Sequence, residues 1–232
     1  MNPILQKIKS RGYWHVIIRP AEYLEDIIPS PQKCGAILKE CTVSFRGLNY
    51  PWFNFMQNRQ YGENYVEQFN EWGEHSEAWR FYQSAQFVQC RAIWEDWLDP
   101  HVKYTDVRYV KPGECLSVVG TIYFLTEVYE FAARLAAKGV LGNACEILVG
   151  LRNSKDRVLT SLNPLGYFSG GYKLFKECVE PRHGIISSAN LMANASEQAL
   201  EHVVWLFARF GLDDIKPDIY RDEQRKLIEK RL

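Results

Sequence analysis

The sequence predicts an α+β fold: a mostly antiparallel, aromatic-rich sheet packed against one long buried helix, with further helices at the C-terminal end. Three observations carry this. Between Gly12 and Trp97, strand-like segments rich in β-branched and aromatic residues alternate with polar positions. From Cys115 to Lys138 the apolar residues recur at helical spacing almost all the way round. After Ser196 the pattern is helical again, with Leu200, Val203, Val204 and Phe207 on one stripe.

Taken in order, Gly12–Pro20 (GYWHVIIRP) reads as a strand closed by proline. Pro31–Cys41 reads as a helix with Ser30 as its cap and Pro31 in its first turn. Thr42–Arg46 returns to strand character, Gly47–Pro51 is a turn, and Trp52–Phe55 and Asn64–Trp72 are further strands. In the last of these Tyr65, Glu67, Phe69 and Glu71 alternate with Val66, Gln68 and Asn70. Glu77–Trp94 reads either as a hairpin of Ala78–Gln83 and Gln86–Trp94 about Ser84-Ala85, or as one long bent strand. On its first arm Ala78, Arg80 and Tyr82 share a face. The whole stretch from Gly12 to Trp97 is expected to form one sheet.

The Cys115–Lys138 helix carries one narrow polar stripe, Glu127, Glu130, Arg134 and Lys138, and stops at Gly139 and Gly142. Ala144–Arg152 and Arg157–Ser161 read as a second hairpin, Leu165–Tyr172 as a glycine-rich loop, and Phe175–Val179 as another strand. Ser196 caps a core helix closed by Gly211, and Tyr220–Leu232 is a charged terminal helix with a thin apolar seam. No repeat, low-complexity tract or linker interrupts the pattern, so a single domain over 1–232 is expected.

The bulk numbers narrow the function classes. The chain has 232 residues, 47% hydrophobic and 14% aromatic, enough to bury a core without metals or disulfides. Its 28 basic and 28 acidic residues balance, which lowers the expectation of a dedicated duplex binder or a binder of acidic membranes. No secretion signal or spanning segment is evident, and six scattered cysteines fit reduced thiols, so a cytoplasmic protein is expected. GxxxxGK[ST], GxGxxG after a strand, GxSxG and CxxC are all absent, and Gly170-Gly171 reads as turn chemistry. His75, His101, His183 and His202 stand alone, and His75-Ser76-Glu77 lacks the PCxxC that a zinc deaminase needs.

Two constellations remain. Glu71, Glu74, His75 and Glu77 surround Gly73; they would suit a divalent metal, or equally a solvated turn between strands. Arg46, Arg80 and Arg91 sit in strand-like segments beside aromatic residues, with Tyr82 near Arg80. A sheet face of this kind stacks bases and neutralises phosphates, although the same arginines also suit cross-strand ion pairs and cation–π contacts. Arg221, Arg225, Lys226, Lys230 and Arg231 face Asp222, Glu223 and Glu229 on a terminal helix that is either solvated or a docking element.

Three segments, GYWHVIIRP (12–20), SEAWRFYQSAQFVQ (76–89) followed by RAIWEDW (91–97), and LSVVGTIYFLTEVYEFAARLA (116–136), together resemble a widespread bacterial family of uncharacterised proteins. Members of that family occur alone or beside AlbA-like, Schlafen-type DNA-binding regions, which implies a link to nucleic-acid or defence systems. The AlbA-like region itself is not recognisable here, and the resemblance brings no catalytic residues. The expectation is therefore a non-catalytic binding or regulatory module of a bacterial assembly. It would have a protein partner, no cofactor or metal, and Arg46, Arg80, Tyr82 and Arg91 as its binding residues; self-association is left open. The alternatives are nucleic-acid binding by the arginine-bearing sheet face, and a metal-dependent hydrolase at the acidic cluster.

Overall fold

The computed structural model of the chain describes residues 2–53, 59–101, 110–161, 171–182, 184–213 and 217–230. In chain order its elements are α1 (Pro3–Lys9), β1 (Tyr13–Pro20), α2 (Pro31–Cys41), β2 (Gln60–Tyr61), β3 (Tyr65–Trp72), β4 (His75–Tyr82) and β5 (Phe87–Ala92). A 3-10 turn, Trp94–Trp97, follows β5. Then come β6 (Cys115–Ser117), α3 (Val118–Ala137), β7 (Ala144–Arg152), β8 (Val158–Thr160), β9 (Ile185–Ser187), α4 (Ser188–Ala208) and α5 (Pro217–Ile228). One seven-stranded sheet runs β2-β3-β4-β5-β1-β7-β9, and every pairing in it is antiparallel. The short β6 and β8 pair in parallel beside it. The fold is α+β.

Alternation along the strands decides what each face buries. Trp14, Val16 and Ile18 of β1, with Phe81 and Phe87, turn toward α3 and are buried. Phe124 and Phe131 of α3 meet that face, with centroids 5.0 Å from Trp14 and 5.0 Å from Phe87. On the other face α1 packs through Ile4, Leu5 and Ile8 against Phe69, Ala78 and Cys90. α4 lies along α3, where Tyr129 Oη and His202 Nδ1 are 2.9 Å apart. Gln224 of α5 donates to Thr126 Oγ1 (3.0 Å) and the Ser196 carbonyl (2.9 Å), pinning the terminal helix to α3 and α4.

Several elements form where the sequence places them. Ser30 Oγ accepts from the Lys33 N–H (3.2 Å) at the start of α2. The β4–β5 hairpin turns through Gln83, Ser84 and Ala85, closed by Tyr82 N–H to Gln86 (2.9 Å) and Ala85 N–H to Tyr82 (2.9 Å), with Ala85 at φ 58°. That is the three-residue loop with a left-handed last position. Gly139 (φ 75°) and Gly142 (φ 65°) end the α3 region.

Other elements differ from expectation. The helix expected from Cys115 begins at Val118, because Ser117 caps it and Cys115–Ser117 pairs as β6. Glu127 leaves the solvated stripe and is buried. The expected second hairpin does not form. Asn153 (φ 49°) and Asp156 (φ 66°) redirect the chain, and β8 pairs with β6, not β7. Val43 and Tyr50 make an isolated bridge where a strand was expected at Thr42–Arg46; Phe175–Val179 likewise keeps only the bridge of Val179 to Leu151. The helix expected from Ser196 begins at Ser188, capped by Ser187, and breaks its φ/ψ at Asn194 (φ −136°). Trp94–Trp97 is a 3-10 turn, and α1 and β9 were not anticipated. The expected strand end at Phe55, most of the Leu165–Tyr172 loop with Gly170, His183 and Arg231 lie outside the described residues. Among the described residues no helix is long and apolar enough to cross a membrane.

Candidate functional site

The 3-10 turn after β5 organises one end of the sheet. Asp96 accepts from the N–H groups of Gly12 (3.1 Å) and Gly113 (2.8 Å) and pairs through both oxygens with the fully buried Arg157. Arg157 also donates to the Cys115 carbonyl (2.8 Å). A buried charge persists only when it is paired, and here both terminal nitrogens of Arg157 have partners while its Nε has none. Gly12 is required here, since a Cβ would collide with Arg157 Nη2. The next-door Glu95 turns the other way, is buried, and accepts from the Ser117 N–H (2.9 Å) at the start of α3. Burial pushes its carboxyl up to about 7.

Between this turn, the first two turns of α3, the outer end of β5 and α5 lies a cavity of about 540 Å³. Trp14, Trp94, Tyr123 and Phe124 supply aromatic walls; Arg46, His75, Arg91, Glu95, Glu223 and Lys226 supply the polar ones. A smaller recess of about 90 Å³ is bounded by the same Arg46, His75 and Arg91, together with Glu77 and Glu127. The two hollows share Arg46, His75 and Arg91, so these three side chains stand between the larger cavity and the buried acids.

Each cation of this cleft has a different standing. Arg46 donates twice to Glu127, Nε to Oε1 at 3.0 Å and Nη2 to Oε2 at 2.6 Å, and lies 5.5 Å from the Tyr123 ring. That fork is closed. Lys226 pairs with Glu223 one turn away on α5. Arg91 stands directly opposite Glu77 in the β4–β5 register, yet among the described residues it makes no ion pair or hydrogen bond. Its guanidinium instead sits 5.1 Å from the Phe124 ring and borders both hollows.

Glu77 beneath it accepts from the Trp52 N–H (2.7 Å) and from Gln89 Nε2 (3.2 Å), and Gln89 accepts in turn from Tyr50 Oη (2.8 Å). Burial pushes Glu77 up to about 7, against the pull of Arg91 and the Trp52 N–H. His75 is pressed down to about 4, first by burial and then by Arg91 and Arg46, and is neutral at pH 7. Its ring is stacked between Trp72 (5.4 Å, 22°) and Trp94 (6.5 Å, 25°).

The structure thus joins Arg46 and Arg91 but separates them from Arg80 and Tyr82. Arg80 pairs with Val88 and so points to the α1 face, where Glu67 takes both Nε (2.9 Å) and Nη2 (2.6 Å). The Tyr82 hydroxyl accepts from Arg80 Nη1 (3.2 Å), and Tyr65 lies 4.0 Å from the guanidinium. Both residues border a shallow hollow of about 260 Å³ with Leu5 and Lys9 of α1. The single expected face fails because the turn holds three residues. With a two-residue Ser84-Ala85 turn Arg80 would face Gln89 and share a side with Arg91; the extra residue shifts the register by one and flips it.

The acidic cluster is divided in the same way. Glu71 lies opposite Ser76, on the α1 face, and is paired with Lys7, whereas His75 and Glu77 face the cleft. Among the described residues no group of three His, Cys, Asp or Glu is placed to hold a metal. Glu95, Glu127 and Trp94 escaped sequence reasoning as site residues. Glu127 was visible only as a member of the polar stripe of α3, which gives no sign that it is buried. No family model matches the chain, and neither a curated protein nor a solved structure is significantly similar to it.

Proposed function

We propose that this chain is a non-catalytic binding module that takes a small anionic ligand in the cleft between β5, the 3-10 turn and the start of α3. The observation that carries the reading is Arg91. It stands across from Glu77 in register, makes no ion pair among the described residues, and borders a cavity walled by aromatic rings. A guanidinium held over a ring in a low-dielectric hollow attracts an anion more strongly than an exposed one. Cavities of several hundred Å³ with apolar walls and a few convergent polar groups are the usual form of small-ligand sites. The nucleic-acid reading of the sheet draws less support, since it needs Arg46, Arg80 and Arg91 on one face and Arg80 lies on the other. As the family resemblance implies, the module would work within a bacterial nucleic-acid or defence assembly.

The test is thermal unfolding of the wild type and of Arg91→Met in rising inorganic phosphate and sulfate. A ligand that binds only the native state raises the melting temperature with its concentration. The proposal expects a rise in the wild type that is lost in R91M. An equal rise in both proteins, or none in either, refutes it.

A further inference from the structure

Resting on that reading of the cleft, we infer that the bound anion also carries a planar aromatic ring, as a nucleoside monophosphate does. The cleft is built in two chemically distinct parts. One part is aromatic. Trp52, Trp72, His75 and Trp94 form a column of near-parallel rings, with interplanar angles of 28°, 22° and 25° from one to the next. Trp52 and Trp72 are in contact at 4.5 Å, while His75 and Trp94, the two that border the cavity, are 6.5 Å apart. Trp94 ends the column and borders the cavity, so its ring is placed to take a flat ligand. Every nucleobase presents a π-face, and stacking of this kind tolerates base identity.

The other part donates hydrogen bonds. Beside Arg91, the Trp94 indole N–H has no acceptor among the described residues, and Nε1 lies 3.6 Å from where a Cβ on Gly120 would be. The Val119 N–H, in the first turn of the 20-residue α3, likewise has no acceptor among the described residues, Ser117 Oγ being used by Gly120, whereas the Val118 N–H continues the β6–β8 ladder toward the Thr160 carbonyl. These donors and the positive end of the helix dipole reinforce Arg91. An inorganic anion alone would leave the indole face uncovered, and a neutral aromatic compound would leave the guanidinium unpaired. A ring with an anionic substituent satisfies both.

Calorimetric titration with inorganic phosphate, adenosine, AMP and a 5′-phosphorylated tetranucleotide tests this, on the wild type, R91M, Trp94→Leu and Trp94→Phe, each checked for folding by circular dichroism. AMP is expected to bind roughly tenfold or more tightly than phosphate or adenosine. W94L is expected to lower AMP affinity about tenfold and phosphate affinity by clearly less, since phosphate loses only the indole N–H and no stacking. W94F, which keeps a ring but not the N–H, is expected to bind phosphate as W94L does and AMP more tightly than W94L, and R91M to weaken AMP and phosphate alike. Tetranucleotide binding equal to that of AMP identifies a strand end as the source, and its failure beside AMP binding identifies a free nucleotide; the chemistry is the same in both. AMP binding no tighter than phosphate, or unaltered in W94L, overturns the aromatic inference while the anion site stands. No binding of phosphate or AMP, or adenosine binding as tightly as AMP, overturns the anion site and this inference with it.

Discussion

Replacing Glu77 by glutamine tests whether a carboxyl beneath the cleft is held out of water. In the fold this carboxyl is pushed up to about 7 from an ordinary 4.5, with burial as the main cause. A carboxyl that binds its proton more tightly when folded lends stability that is fully present below pH 4.5 and is lost as pH rises through 7. At ~1.4 kcal/mol for each tenfold in proton affinity, the total is about 3 kcal/mol, of which about 2–3 kcal/mol falls between pH 5 and pH 8. Glutamine keeps the shape and never ionises. It keeps most of the network: the amide oxygen of the new side chain accepts from the Trp52 N–H, and Gln89 turns over so that its Oε1 accepts from the new amide and its Nε2 donates to Tyr50 Oη. The Tyr50 O–H loses its acceptor, at a cost that is the same at both pH values. Urea unfolding of both proteins at pH 5 and pH 8 isolates the effect, since Glu95, His75 and His202 titrate in both and cancel. The wild type should lose about 2–3 kcal/mol relative to E77Q on going from pH 5 to pH 8. A stability difference that is the same at both pH values refutes the buried-acid reasoning.

Three further outcomes follow from the same geometry. Sulfate stays a dianion over this range, so its affinity for the cleft should fall roughly five- to tenfold from pH 6 to pH 8 as Glu77 ionises beside Arg91, and calorimetry on E77Q should show no such fall. Gly12→Ala drives a Cβ into the buried Arg157–Asp96 pair and should cost about 3–5 kcal/mol in urea unfolding; a cost under about 1 kcal/mol would mean that the pair relaxes freely. Arg80→Ala removes a guanidinium on the opposite face, already held by Glu67, and should leave phosphate-induced thermal stabilisation unchanged.

What was legible in the sequence followed from periodicity and caps. β1 alternates cleanly between buried and half-buried positions, and Ser30-Pro31 marks the start of α2 without ambiguity. What stayed hidden depended on pairing partners or on competition between equivalent signals. β6 and β8 are three residues each, too short for a pattern to name a partner. Ser187 and Ser196 are both suited to capping, and the kink at Asn194 keeps both halves helical within α4. For the site, Arg46 and Arg91 were visible as arginines among aromatic residues. Their separation from Arg80 was not, because it hangs on one residue in the β4–β5 turn, where Ala85 takes a left-handed conformation with no glycine to announce it. Glu95 and Glu127 were silent because burial, not spacing, makes them part of the cleft.

The most direct test of the account is nitrogen–proton NMR of the arginine Nε–H and tryptophan indole N–H groups during a phosphate titration, with assignments from R91K and W94F. The account predicts that the Arg91 and Trp94 resonances move together and saturate, while that of Arg80 stays fixed. Movement of Arg80 with Arg91 and Trp94 unchanged, or weak shifts that never saturate, would contradict the claim that this cleft is an anion-binding site.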